Sequence, residues 1–348
     1  MELKKERDVS LDLMRFLGIL VIMVAHADPP GWLYQLRNFG TPLLIITSAL
    51  THSLIYQRKK LEVKPFLRKR LSRIVFPAWI FLTFFYPFLY FVTRVLHVDY
   101  PFKFIDILLS YPLYSGFVWI FKVYFILALI TPFSLAYRKK VTHTGVYMLI
   151  LILAWAFHEA SFYFTEGIIG KNYRDFFDNV IFVIIPYSVL YLYGFKLGEL
   201  SKRTVLLISI VSGLVFAGIA FYLIKTEGSF VQTQVYKYPP RLYYIAYSFI
   251  AIHIIYLFRH QLTSLFNRKA IVWLSSKSLW IYLWHILAYY LWDVITGGRT
   301  YGLGISIVGS VFLLFFSVLL TYIQTYLAER YLLTKDSRFY QKLGGYLT

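Results

Sequence analysis

Ten apolar stretches of about 20 residues make up most of this chain, near 9–27, 38–57, 74–97, 116–136, 144–164, 179–198, 204–224, 240–258, 271–294 and 304–327. A bilayer core takes about 20 residues of helix to cross, and backbone inside it must satisfy its own hydrogen bonds. The pattern predicts an all-α integral membrane protein with about ten transmembrane helices. A mean hydropathy of +0.60 agrees, because a soluble fold has no interior large enough to hide that much apolar surface. The segment 99–115 holds Pro101, Pro112 and a mildly amphipathic run, and reads as an interfacial element. No internal repeat or soluble domain interrupts the series. Residues 1–348 therefore read as one transmembrane domain, with 1–8 a cytoplasmic N-terminus and 328–348 a short cytoplasmic tail.

A net charge of +19 would suggest a nucleic-acid partner in a soluble chain. In a membrane protein, excess Lys and Arg instead marks loops that lie against anionic lipid. With the N-terminus inside, inner loops and tails carry 23 of these residues and outer loops carry eight. That asymmetry predicts both termini in the cytoplasm and a multi-pass protein of a bacterial plasma membrane, partnered by lipid and not by nucleic acid. The absence of cysteine excludes disulfides, cysteine metal sites and a cysteinyl acyl intermediate. The stretch 9–27 lacks a small-x-small cleavage site and contains Asp12 and Arg15, so it reads as a retained first span.

Polar residues inside apolar spans are costly and usually face a protein interior or a wet cavity. Arg15 and His26 lie eleven positions apart in the first span. On a helix they share a face and stand roughly 16 Å apart along the axis. Simple snorkelling of Arg15, with His26 wetted at the far interface, explains the pair equally well. The remaining intramembrane polar groups fall into two layers. The inner one is cationic: Arg15, His52, Lys196, His253 and Lys277, with Arg68, Lys69, Arg70 and Arg73 entering the third span. It suits a phosphorylated ligand, although a basic entry is also an ordinary positive-inside flank. The outer layer holds His26, Lys122, His158, Glu159, His285 and Asp293, the ingredients of proton transfer near neutral pH. His158 and Glu159 read either as acceptor-binding groups or as a surface cap, and Lys122 either as a working cation or as one that snorkels outward. No HExxH, phosphate-binding glycine loop or Gly-x-Ser-x-Gly elbow is present, and the histidines are too scattered to argue for a metal.

Four motifs in order resemble membrane acyltransferase family 3. They are Arg7, Asp8, Leu11, Asp12 and Arg15 leading to His26; Asn38 to Leu43 followed by Thr47 to Leu50, with Ala49 where the family usually has glycine; the basic entry Phe66 to Pro77; and Leu274 to His285. The resemblance covers most of the chain and is to the stand-alone form, without a C-terminal esterase-like domain. It implies transfer of an acyl group, most simply acetyl, from cytoplasmic acyl-CoA to a hydroxyl of an extracytoplasmic glycan, with acetyl-CoA as co-substrate and no metal. His26 is then the general base, or the site of an acyl-histidine intermediate, which the sequence does not separate. Lys122 or His285 would donate to the thioester oxygen. Arg15, positioned by Asp12, would hold the coenzyme with Arg68, Lys69, Arg70 and Arg73. His158, Glu159 and Trp119 would meet the glycan, although Trp119 and loop aromatics such as Tyr111, Tyr114, Tyr236 and Tyr238 fit an interfacial belt as well. A transporter or flippase of an anionic or lipid-linked sugar is the alternative. It is weakened by the missing repeat and by the absence of matched broken helices.

Overall fold

The computed structural model describes residues 7–57, 59–113, 116–298 and 302–348, apart from the side chains at 113, 171, 172 and 175. Tyr114 and the loop cations Lys4, Lys5, Arg58 and Arg299 lie outside the described residues. The described chain is helical, with no strand. In order, the helices are α1 Val9–Ala25, α2 Gly31–Leu36, α3 Gly40–Tyr56, α4 Val63–Val95, α5 Phe104–Leu113, α6 Trp119–Lys140, α7 Thr144–Thr165 and α8 Lys171–Phe176. They continue with α9 Ile184–Leu197, α10 Lys202–Glu227, α11 Leu242–Ser264, α12 Arg268–Ser276, α13 Ser278–Thr296, α14 Leu303–Leu327 and α15 Arg338–Leu347.

Among the described residues, eight helical segments are long and apolar enough to cross a membrane, and the protein is multi-pass. The expected ten include two more, α1 and α13. At 17 residues α1 is short, with Asp12 and Arg15 interrupting it, and α13 carries His285, Asp293 and three tyrosines. These are the helices that lead to His26 and carry His285. The expected continuous span 271–294 is broken at Lys277 into α12 and α13. No proline or glycine marks that break in the sequence.

The chain resolves into two compact units. One comprises Met1–Ile22, Gly31–Leu61 and Leu129–Ser275; the other comprises Met23–Pro30, Glu62–Ala128 and Ser276–Thr348. In the first unit α3 is the central element, and most of its residues are buried. Small residues let its backbone approach two neighbours closely, as lipid-embedded helices require in the absence of a hydrophobic driving force between them. A methyl group on Gly40 would stand 2.8 Å from the Gly18 carbonyl of α1. One on Gly194 of α9 would stand 2.7 Å from the Ala49 Cβ and 2.8 Å from the Ile46 carbonyl. Ala49, the departure from the family's glycine, therefore sits where its partner helix supplies the glycine. Polar side chains tie α3, α6 and α9 together: His52 Nδ1 lies 2.5 Å from the Tyr191 hydroxyl, which is 2.9 Å from Thr131 Oγ1. Likewise, His253 Nε2 of α11 lies 2.6 Å from the Tyr193 hydroxyl. His52 and His253 thus hold helices together.

The second unit is built on α4, which packs against α5, α13 and α15, while α13 also packs along α14. Aromatic edges and faces fill it: Phe81, Phe85, Tyr86, Phe102 and Tyr290 meet at centroid distances of 5.1–5.8 Å. Such pairs contribute roughly 0.5–1.5 kcal/mol each beyond their buried area. The segment expected as a tail instead folds back as α15. Trp280 Nε1 donates to the Tyr346 carbonyl at 2.9 Å, Lys277 Nζ to the Thr348 carbonyl at 2.9 Å, and Gln324 Nε2 to the Leu347 carbonyl at 2.7 Å.

Candidate active site

His26 follows the last turn of α1, in the second unit, where it meets His285 of α13. His26 Nδ1 and His285 Nε2 are 3.0 Å apart, and the rings stack at 5.1 Å with 12° between their planes. His285 is fully buried, and its Nδ1 faces the Tyr282 carbonyl one turn earlier. A carbonyl only accepts, so His285 Nδ1 carries the proton. With both rings neutral, His285 Nε2 is then an acceptor and His26 Nδ1 its donor. That tautomer leaves the basic lone pair of His26 on Nε2. Both nitrogens of His285 are committed, so it orients His26 as the third member of a triad orients a base.

Tyr282 fixes a second wall of the pocket. Its hydroxyl donates to the Phe117 carbonyl at 2.6 Å, and the Phe117 ring meets His26 edge-on at 5.1 Å. Tyr289, one turn beyond His285, closes a third side at 5.6 Å. Phe117 also lines a cavity of 330 Å³ bounded by Phe81, Phe85, Phe102, Ile286 and Tyr290, with Asp106 its one carboxylate.

In the first unit, the Arg15 cluster is built on Asp12. Asp12 is 4% exposed and accepts from Arg7 Nε at 2.7 Å, Arg7 Nη2 at 2.8 Å and Ser275 Oγ at 2.7 Å. Arg15 Nη1 lies 3.6 Å from the same carboxylate and donates to Ser275 Oγ at 3.0 Å, while Nη2 reaches Thr51 Oγ1 at 3.4 Å. Two guanidinium groups share one carboxylate, so the cluster keeps a net positive charge. The Arg15 side chain stays 24% exposed. Ser275 ends up here because α12 stops at Ser276.

The other expected site residues are placed as follows. Arg68, Lys69 and Arg73 are exposed on the first turns of α4, and Arg70 is partly covered, its guanidinium 5.7 Å from the Phe66 ring. Lys196 is engaged within the first unit: it and Arg138 both bind Glu199. Lys122 is half-buried near the start of α6 and makes no hydrogen bond or ion pair among the described residues; Trp119 opens that helix. His158 Nε2 lies 3.0 Å from the Pro240 carbonyl, and Glu159 accepts from Arg241 Nε at 2.7 Å and from the Leu242 amide at 2.6 Å. This pair clamps the connection between α10 and α11 to α7. Sequence reasoning missed Tyr282, Phe117, Arg7 and Ser275 as members of these sites. Tyr282, Arg7 and Ser275 stand in motifs already noted and Phe117 in an expected span, but only tertiary contact brings them to these sites.

The class this defines is a multi-pass, all-helical membrane protein with a histidine pair on one buried ring and an arginine cluster on one buried aspartate. The chain belongs to acyltransferase family 3, whose acyltransferase-domain model matches residues 8–326. No curated protein and no solved structure matches it. It is a membrane acyltransferase.

Proposed function

We propose that this protein moves an acyl group, acetyl first among them, from cytoplasmic acetyl-CoA to a hydroxyl of an extracytoplasmic glycan. The observation that carries the reading is the 3.0 Å contact between His26 and His285. His26 Nε2 takes the proton of the acceptor hydroxyl as its oxygen attacks the thioester carbonyl. The carbon–sulfur bond then breaks, the acyl group stays on the acceptor oxygen, and the imidazolium returns the proton to the departing thiolate. Arg15, with its surplus charge, binds a coenzyme phosphate, and Arg68, Lys69, Arg70 and Arg73 add to the inner cationic layer. Lys122 remains the candidate donor to the thioester oxygen. Trp119 is proposed to meet the glycan, whereas His158 and Glu159 serve it by holding the α10–α11 connection.

The test is transfer of radiolabelled acetyl from acetyl-CoA to cell-surface glycan in membranes carrying wild type or His26→Ala. General-base catalysis contributes about 10²–10⁴-fold, so the variant should lose that much rate while still binding acetyl-CoA. An unchanged transfer rate contradicts the assignment. Sugar flux that survives the substitution would instead support transport.

A further inference from the structure

The first unit holds a second pair of buried cations that the acyl-transfer chemistry does not use. Arg37, between α2 and α3, is 5% exposed, and Lys237, at the end of the 3-10 turn Thr233–Tyr236, is 8% exposed. Their neighbourhood is tightly built. Gln35 Oε1 accepts from both the amide (2.9 Å) and the hydroxyl (3.0 Å) of Thr233, whose Oγ1 in turn accepts from Asn38 Nδ2 at 2.9 Å. Tyr247 donates to the Leu36 carbonyl at 2.7 Å. Residues on both sides of Arg37 are therefore pinned to the α10–α11 connection and to α11.

What surrounds the two charges is aromatic. The Arg37 guanidinium lies 3.7 Å from the centroid of the Tyr34 ring, and Lys237 Nζ lies 5.1 Å from that of Tyr238. Neither cation is in an ion pair among the described residues, and Arg37 Nε and Nη2 have no hydrogen-bond partner there. The nearby acid is already spent, because Glu159 binds Arg241. Burying a cation without a counterion is expensive, and burying two together compounds the cost. Burial first, and then the positive charge of Arg37, push the Lys237 ammonium down to about 7. Elsewhere in this unit, cations of similar burial come with carboxylates, as Lys196 does with Glu199.

We infer that Arg37 and Lys237 form a binding site for one oxyanion, a carboxylate or a phosphate group, carried by the glycan acceptor. A planar guanidinium with two uncommitted N–H groups matches two oxygens of such a group, and an ammonium adds a point charge. Tyr238, 42% exposed beside the buried pair, offers an aromatic surface to the sugar that carries the anion. The loop-charge asymmetry of the sequence assigns the α10–α11 connection to the outer side, where the acceptor arrives. The inference rests on the acyl-transfer reading for the identity of the carrier. A lipid headgroup is the other source of a phosphate, but these charges are covered by their own unit.

The test measures binding of D-glucuronate, glucose 1-phosphate and neutral glucose to detergent-purified, full-length protein at constant ionic strength. Acetyl-CoA binding is measured on the same samples. Saturable binding of either anionic sugar but not glucose, weakened at least tenfold by Arg37→Gln and by Lys237→Met and partly restored in Arg37→Lys, supports the site and names the group. Binding of neither anionic sugar, or binding that both substitutions leave unchanged, overturns it. So does stabilisation by phosphatidylglycerol vesicles, but not phosphatidylcholine vesicles, that disappears in Arg37→Gln while neither sugar binds. If Arg37→Gln fails to elute as a single species, Lys237→Met carries the comparison. Failure of acetyl-CoA to bind, with the anionic sugar still held, would count against acyl transfer and leave the anion site standing.

Discussion

Arg15 and Arg37 belong to the same compact unit, the first partly exposed and the second buried, and their surroundings differ in kind. Around Arg15, Asp12 supplies a carboxylate that Arg7 and Ser275 also bind, and nearly every polar group is answered. Around Arg37 there is a second cation, a set of tyrosines and no acid within ion-pairing reach among the described residues. A chain that can supply a counterion at Asp12, Glu159 and Glu199 supplies none to Arg37 and Lys237 among the described residues. The difference teaches that a compensated buried charge is part of the scaffold, with only its surplus available for a ligand. An uncompensated one suits an anion from outside the chain.

The contrast can be broken most forcefully at Asp12. Asp12→Ala removes the buried carboxylate that faces Arg7 and Arg15 and accepts from the Ser275 hydroxyl, and breaking a buried pair costs about 3 kcal/mol. Thermal denaturation in detergent should show a loss of that order, and a melt within experimental error of wild type would undo the claim that this cluster is scaffold.

A smaller effect is expected at Lys237. Its folded-state value near 7 lies below the ordinary 10.5, so between those values the native state holds fewer protons than the unfolded one. Stability of the ligand-free protein therefore rises with pH across that window and is lowest below pH about 7. The groups facing the ammonium are Arg37 and the ring of Tyr238. Melts at pH 7 and pH 9 should show a larger rise for wild type than for Lys237→Met; parallel rises would mean that the lysine is not desolvated.

The smallest expected effect is at Arg37 itself. Arg37→Gln gives up a cation–π contact but also a desolvated charge with two unanswered donors. These opposing terms are each of order 1 kcal/mol, so stability without ligand should move by less than about 1 kcal/mol. A loss as large as that of Asp12→Ala would show that the two arginines are alike after all.

The sequence made the apolar spans, the Arg15–His26 spacing and the ninth-span histidine legible, because hydropathy and local motifs are properties of short windows. The break at Lys277 was not, since nothing in Ser275-Ser276-Lys277-Ser278 disfavours a helix strongly enough to show. The role of His285 was also hidden. As one more imidazole in an apolar run it reads as a donor, and its contact with His26, 259 positions away, is a tertiary fact that no local motif encodes. Arg37 and Lys237 read as ordinary outer-loop charges. Their burial depends on Gln35 and Asn38 meeting Thr233 almost 200 positions later, and no periodicity encodes that. His158 and Glu159 stood out by composition, but their contacts with Pro240, Arg241 and Leu242, 82 or 83 positions away, were not legible.

The most direct test of the central claim is an isotherm for acetyl-CoA on detergent-purified protein, wild type beside Arg15→Ala. The acyl-transfer account predicts saturable binding by wild type and at least a tenfold loss in the variant, with Asp12 and Arg7 left in place. A well-folded wild type that binds neither acetyl-CoA nor a longer acyl-CoA, or a variant that binds as tightly as wild type, would contradict the donor site and the role given to Arg15.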